Sequence, residues 1–324
     1  MLRLINLLYS SFFNPYLYNH VTLFNKLEAL HYHRLKDKRS VAVKLFSTLV
    51  NMDEFHTTEL FEFARTQILE AGKILRDGMH SNKNVETKEG QHDVVTYFDR
   101  KTEEALINSL SGKFPDHKFI AEESSYKKNV MLTDSPTWII DPIDGTTNFV
   151  HAFPFACISV ALAIHKEVVL GIIYNPSNFE MYTAVKGKGS FLNDEPINTS
   201  KITELNKALL GCEPGLMRDG IKNREFKETR IKALINVTQG SRAIGSAALT
   251  MAYIARGVID CFQMDTLQPW DIAAGMLIIR EAGGVVVNSK GGQLDFMKPD
   301  LLAAANETLM HKAVSVLEQT EKNK

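Results

Sequence analysis

The sequence predicts a mixed α/β fold of the α+β kind that contains an antiparallel sheet, and three observations predict it. Apolar residues recur at a helical period in stretches such as 56–79 and 272–282. Short apolar runs bounded by Gly, Pro, Asn and Asp lie between them and read as strands. Several of these runs follow one another across connections too short for a crossover, so neighbours must pair antiparallel. The bulk properties agree with a globular protein. The chain has 324 residues, 44% hydrophobic and 23% charged, with a net charge of −1, enough for one large domain or two medium ones. The balanced charge leaves no nucleic-acid footprint, and no apolar run reaches the length of a membrane span. Cys157, Cys212 and Cys261 stand far apart, which indicates neither a zinc ribbon nor a disulfide framework. A reducing, cytoplasmic setting is expected.

Residues 1–55 read as an N-terminal extension. Its first 27 residues carry no Asp or Glu, only Arg3 and Lys26 as fixed charges, and many Leu, Phe, Tyr and Asn. The stretch is expected to be disordered, an over-extended gene model upstream of Met52, or a targeting segment, mitochondrial in the last case. The domain proper is expected over residues 56–320. Its first helix, 56–79, buries Leu60, Phe63, Ala64, Ile68, Ala71 and Leu75 on one face, with Thr57 or Thr58 as cap. Lys88 follows, then a strand-like run at 93–96, and Asp99 opens a helix over 99–112 as its N-cap. The run 114–120 is a strand that ends in Ala121-Glu122-Glu123-Ser124. Adjacent acids on an extended strand point to opposite sides, so one can face a site while the other anchors the loop.

Trp138-Ile139-Ile140-Asp141 is a buried strand that breaks at Pro142, because proline has no N–H for the ladder. It delivers Asp141, Asp144, Gly145, Thr146 and Thr147 in quick succession, a mixture of carboxylates and turn amides that suits hard cations and a phosphate. Residues 153–164 and 168–174 form a hairpin, and 180–184 with 187–192 a second. A strand at 208–212 and a helix at 225–236 follow. The segment Arg242–Ala248 opens the next helix, and Gly245-Ser246-Ala247 at its start should leave N–H groups pointing at a ligand. A strand at 258–264 leads to Pro269-Trp270-Asp271, with Asp271 as cap of the helix 272–282. Strands at 285–288 and 301–306 and a helix at 307–320 complete the chain.

Asp99, Glu122, Asp141, Asp144 and Asp271 therefore share a property. Each stands where a strand or loop gives way to a turn or helix, the place where α/β sheets build sites. Massed carboxylates repel one another unless cations lie between them. An all-oxygen donor set without His or Cys points to magnesium, and several carboxylates could hold two such ions for phosphoryl chemistry.

Ala121-Glu122-Glu123-Ser124, Trp138 through Phe149 and Pro269 through Gly275, taken together and in this order, resemble the inositol monophosphatase family. Gly187-Lys188-Gly189-Ser190, Glu281 through Gly284 and the Ala-Ala-Asn306 ending match as well. The resemblance spans about residue 57 to about 318. It implies a layered αβαβα sandwich of the inositol monophosphatase and sugar phosphatase type, a homodimer, and two or three Mg2+ ions per active site. It implies that Glu122, Asp141 and the Ile143 carbonyl hold one ion, and that Asp141, Asp144 and Asp271 hold a second. Thr146 and Asp99 would orient and deprotonate the attacking water, while Gly145 and Thr146 amides hold the phosphate. Lys88 would lie near phosphate and metals, and Glu123 would stand as an acid behind them. Asp144, Gly245, Ser246 and Ala247 would contact the substrate.

One position departs from this pattern. Seven residues before Asp271 the inositol phosphatases carry a Glu that meets a ring hydroxyl, and here that position is Met264. A thioether is a weak acceptor, so Gln263 or Asp265 takes the role or the contact is lost. The expected activity is release of myo-inositol and phosphate from a small phosphomonoester, with lithium sensitivity attached to the family. The competing readings are a nucleotide phosphatase for 3′-phosphoadenosine 5′-phosphate, a sugar phosphate phosphatase, and a catalytically inactive scaffold. No nucleic-acid or membrane partner is expected.

Overall fold

The structure is a computed structural model of the chain, and it describes residues 36–322 except 82, 84, 88–93, 127, 129, 214–223 and 266. Two compact units are distinguished, Met1–Glu62 and Phe63–Lys324. Of the expected extension, residues 1–35 lie outside the described residues. Helix α1 begins at Lys36 and runs to Met79, well upstream of the expected start at 56. No Pro or Gly stands between residues 36 and 55 to stop it. Its stretch from Phe63 belongs to the second unit.

The second unit is built around two sheets. The seven-stranded sheet has the order β3-β4-β5-β6-β7-β8-β9. Its strands are β3 (Lys118–Ala121), β4 (Thr137–Asp144), β5 (Cys157–Ile164), β6 (Glu167–Asn175), β7 (Glu180–Val185), β8 (Ser190–Leu192) and β9 (Glu195–Pro196). Only β3 and β4 run parallel, and every later pair is antiparallel, including both expected hairpins. The five-stranded sheet has the order β11-β10-β12-β14-β13 and is mixed. Its strands are β10 (Leu209–Gly211), β11 (Gly240–Arg242), β12 (Cys261–Met264), β13 (Val285–Asn288) and β14 (Leu301–Ala304). A small ribbon pairs β1 (Val85–Thr87) with β2 (Val94–Thr96).

The layers follow from which faces are apolar. Helix α2 (Tyr97–Lys113) lies with the end of α1 outside the seven-stranded sheet, where Phe63 meets Phe114 and Phe114 meets Trp138. Trp138 is fully buried, and its Nε1 donates to His117 Nδ1 at 3.0 Å. Helices α6 (Ala247–Ala255) and α7 (Pro269–Glu281) fill the space between the sheets, packed with Ile139, Ala161, Ile173 and Tyr182 on one side and Phe262, Met264 and Ala303 on the other. Helices α5 (Arg224–Val237) and α8 (Glu307–Lys322) cover the far face of the smaller sheet through Ile231, Leu234, Leu309 and Leu317. The period of two shows directly in β12, where Cys261 faces the outer core while Phe262 and Met264 face the inner one. The result is the expected αβαβα order.

Three further helix starts differ from expectation. Helix α2 begins at Tyr97, with Thr96 as N-cap, so Asp99 is the third helical residue of a capping box. Helix α7 begins at Pro269, whose missing N–H costs nothing in the first turn, and Asp271 is again third rather than cap. Residues 240–242 are strand, and α6 begins only after Gly245, whose φ of +78° sets the chain off the helical path, with Ser246 as cap.

Candidate active site

The site forms where β4 breaks. All eight of its residues are buried, and its pairing with β5 shifts register between Asp141 and Asp144, across Pro142. The shift turns both carboxylates out of the ladder. Asp141 Oδ1 accepts the amide of Ile143 at 3.0 Å and so closes the turn on itself. Gly145 then adopts φ +87°; a Cβ there would lie 2.8 Å from the Phe155 carbonyl oxygen and 3.0 Å from that of Gly245, so only glycine fits. Helix α4 (Thr146–Val150) follows at once.

Three segments supply the acids around this turn. Ligand oxygens of Asp141, Asp144 and Asp271 lie within 4.8 Å of one another. Glu122 heads the four-residue helix α3 (Glu122–Ser125) at the end of β3, next to β4, and it is a hydrogen-bonding and charge neighbour of Asp141. Burial, then the charges of Glu122, Asp144 and Asp271, push the Asp141 carboxyl well above the carboxylate range. Burial, Asp144 and Glu122 do the same to Asp271. Burial also raises Asp144, against the pull of the Ser246 hydroxyl and the Ala248 and Ala247 amides. Among the described residues, no Lys, Arg or His is among the leading charges that act on these three carboxyls. Carboxylate oxygens without His, Lys or Arg among them fit a hard divalent cation of the Mg2+ type.

The Thr146 and Asp99 side chains also meet. Thr146 Oγ1 lies 3.2 Å from Asp99 Oδ1 and 3.0 Å from the Ile143 carbonyl oxygen. Asp99 Oδ2 accepts the amide and hydroxyl of Thr96, which leaves Oδ1 aimed at Thr146. Burial raises Asp99 to about 6, the Thr96 bonds pull it down, and the negative charge of Glu123 lifts it again. Lys88 lies outside the described residues.

On the expected substrate side the structure brings corrections. The amides around the start of α6 have partners within the chain. Those of Ile244 and Gly245 donate to Glu213 Oε1 at 3.0 and 2.9 Å, and that of Ala248 donates to Asp144 Oδ2 at 2.7 Å. Ser246 Oγ donates to the same Asp144 oxygen. The hydroxyl and amides at Gly245, Ser246 and Ala247 thus serve carboxylates of the chain itself. Met264 is 0% exposed and part of the inner core, so it presents no surface to a substrate. Of its neighbours, Gln263 donates to Asp265, and Asp265 is held by Arg230 at 2.8 Å.

Sequence reasoning passed over Glu103, Glu213 and Asn148. Glu103 accepts the amides of Glu123 and Ser124. Asn148 Nδ2 donates to the carbonyls of Phe155 at 2.8 Å and Ile244 at 2.7 Å, tying α4 to the loop before α6. Only Glu103 carried a signal, four residues beyond Asp99 on one helix face.

Known proteins share this architecture and this sequence. A model of the inositol monophosphatase family matches residues 56–322. "Inositol monophosphatase 3" of Solanum lycopersicum is 42% identical over 251 residues, which is 77% of this chain and 92% of that protein. "Inositol monophosphatase 2" of Rattus norvegicus is 40% identical over 252 residues, 78% of this chain and 87% of the other. The crystal structure of the extragenic suppressor protein suhB from Bartonella henselae superposes with a TM-score of 0.72 at 34% identity, covering 80% of this chain and 98% of that one.

Proposed function

We propose, from the premise that this chain belongs to the inositol monophosphatase family, that it hydrolyses inositol 1-phosphate with Mg2+. The chain is an inositol-phosphate phosphatase, a phosphoric monoester hydrolase. The observation that carries the reading is the convergence of Asp141, Asp144 and Asp271 within 4.8 Å, two residues from the hydroxyl that meets Asp99. Glu122, Asp141 and the Ile143 carbonyl would hold one ion, and Asp141, Asp144 and Asp271 another, with Asp141 bridging. When bound, the ions supply Lewis-acid polarisation and positive charge for the phosphate and the departing oxygen. The chain's own residues do the rest. Thr146 and Asp99 orient a water in line with phosphorus, and the Asp99 carboxylate receives its proton. Gly145 and Thr146 amides hold phosphate oxygens, and Glu123 tunes Asp99; a phosphate-side role for Lys88, outside the described residues, belongs to the same reading. The P–O bond to the alcohol breaks, and the alkoxide takes up a proton to leave as inositol. No Ser or Cys nucleophile is called for.

Residues 56–320 constitute the catalytic domain in this reading and 1–55 an extension. A homodimer, a cytoplasmic location and lithium inhibition belong to the same reading. Among the described residues no helix is long and apolar enough to cross a membrane. Phosphate release from inositol 1-phosphate, 2′-AMP, glycerol 2-phosphate and 3′-phosphoadenosine 5′-phosphate, with and without Mg2+, tests it. Mg2+-dependent turnover with inositol 1-phosphate preferred is expected. A strong preference for the bisphosphorylated nucleotide overturns the substrate, and absence of turnover on every ester overturns the enzyme.

A further inference from the structure

We infer that Glu103 is a positioning residue for the metal site, a clamp that fastens the turn carrying Glu122 to the helix carrying Asp99. The inference rests on the phosphatase reading above. Glu103 Oε2 accepts the amide of Glu123 at 2.7 Å, and Oε1 accepts that of Ser124 at 2.8 Å, so both oxygens are committed to one turn. The side chain is buried. Helix α3 needs this help. It has only four residues, and its N-cap, Ala121, offers no side-chain hydrogen bond. A carboxylate from another element takes the place of the missing cap and meets the positive end of the turn.

The electrostatics explain why the turn must be tied. Glu122 faces Asp141, and its charge acts on Asp271 as well. Any two of these carboxylates that are ionised together repel, so the backbone that carries Glu122 gains from a hold independent of a cation. Its backbone is held on one side by Glu103 and on the other by Ser125 Oγ, which accepts the Ala121 amide at 3.2 Å. The clamp therefore keeps Glu122 in place before an ion arrives. Glu103 lies one turn beyond Asp99 on α2, so the base and the Glu122 turn share one rigid element.

The test is Mn2+ binding by calorimetry on the full chain, alongside phosphate release titrated with Mg2+. Glu103→Gln keeps one acceptor and puts an NH2 against an amide N–H. It is expected to weaken Mn2+ binding about tenfold or more, to recover kcat at saturating Mg2+, and to leave the acid limb of the pH profile in place. Glu103→Ala should be worse. Glu104→Gln, the same charge change on an exposed neighbour, should bind as the wild type does. If Glu103→Gln fails to fold, Glu103→Asp keeps the charge, shortens the reach by one carbon, and is expected to weaken Mn2+ in the same direction. Unchanged Mn2+ affinity in a folded Glu103 variant overturns the inference, as does an equal loss in Glu104→Gln, which would mark a general charge effect. If the wild type itself binds no Mn2+, the phosphatase reading fails and the clamp falls with it.

Discussion

Ser246 Oγ donates to Asp144 Oδ2 at 2.5 Å, and the same hydroxyl oxygen accepts the amide of Leu249 at 3.1 Å. One side chain thus caps α6 and fixes the Asp144 carboxylate. The Ala248 amide donates to the same Oδ2. Ser246→Ala should lose about 1–2 kcal/mol of stability, typical of a removed cap. It should also raise the Mg2+ concentration needed for half-maximal activity. Ser246→Thr, which retains the hydroxyl, should be milder on both counts. Urea unfolding and a Mg2+ titration read them separately.

Asp141→Asn is expected to fold and to be inactive, since the bridging charge is gone. A second consequence follows from burial and repulsion, which hold the Asp141 carboxyl well above the carboxylate range. An acid raised on folding loses stability as pH rises. Removing it should make the metal-free protein at neutral pH at least as stable as the wild type. Thermal melts in EDTA and in Mg2+ check this: Mg2+ should raise the Tm of the wild type far more than that of the variant.

Activity should fall as pH drops through about 6, where Asp99 takes up a proton and can no longer accept one from water. Burial is the main cause of that value, and Glu123 adds to it by its negative charge. Glu123→Gln should therefore move the acid limb to lower pH without removing it. Asp99→Asn should remove turnover across the whole range. The pH dependence of kcat, measured at saturating Mg2+, distinguishes the two.

Glu213 carries a pH dependence of stability. Burial raises its carboxyl to about 7 from a reference of 4.5, against the pull of the Gly245 and Ile244 amides. The folded state therefore holds this proton more tightly than the unfolded one. The contribution to stability is present below about pH 4.5 and is lost as pH rises to about 7. Glu213→Gln should flatten this part of the profile, with denaturant unfolding in EDTA from pH 4.5 to 8 as the measurement.

Met264 is a packing residue by its burial. Met264→Ala should cost about 2–5 kcal/mol, and Met264→Leu less than about 1.5 kcal/mol. The Leu variant should keep the wild-type order of preference across the ester panel. A reordered panel would put this side chain back in contact with substrate.

The cation side of the site was legible because its chemistry is local. Asp141, Pro142, Asp144, Gly145 and Thr146 are neighbours in sequence, and Pro142 announces the break that turns the acids out. Asp99 and Asp271 were found but misplaced by two or three residues, because a third-position acid in a capping box looks like an N-cap until the true cap is seen. Support contacts were not legible. Glu103 reaches 20 residues, Glu213 31 and Asn148 96 to partners that are backbone atoms and leave no mark in the sequence. The amide of Gly245 looked free for the same reason: its acceptor, Glu213, lies 32 residues away, just after β10.

Both tryptophans of the chain stand close in sequence to an acid of the cluster. Trp138 precedes Asp141 by three residues on β4, and Trp270 is the residue before Asp271. Both are buried, so each indole sits in an environment that solvent does not average. The molecule therefore carries its own optical reporters, one on the strand that leads to Asp141 and one directly before Asp271. Replacing either with phenylalanine would leave a single emitter, and cation arrival could be followed from each side by ultraviolet fluorescence, without a dye and without turnover.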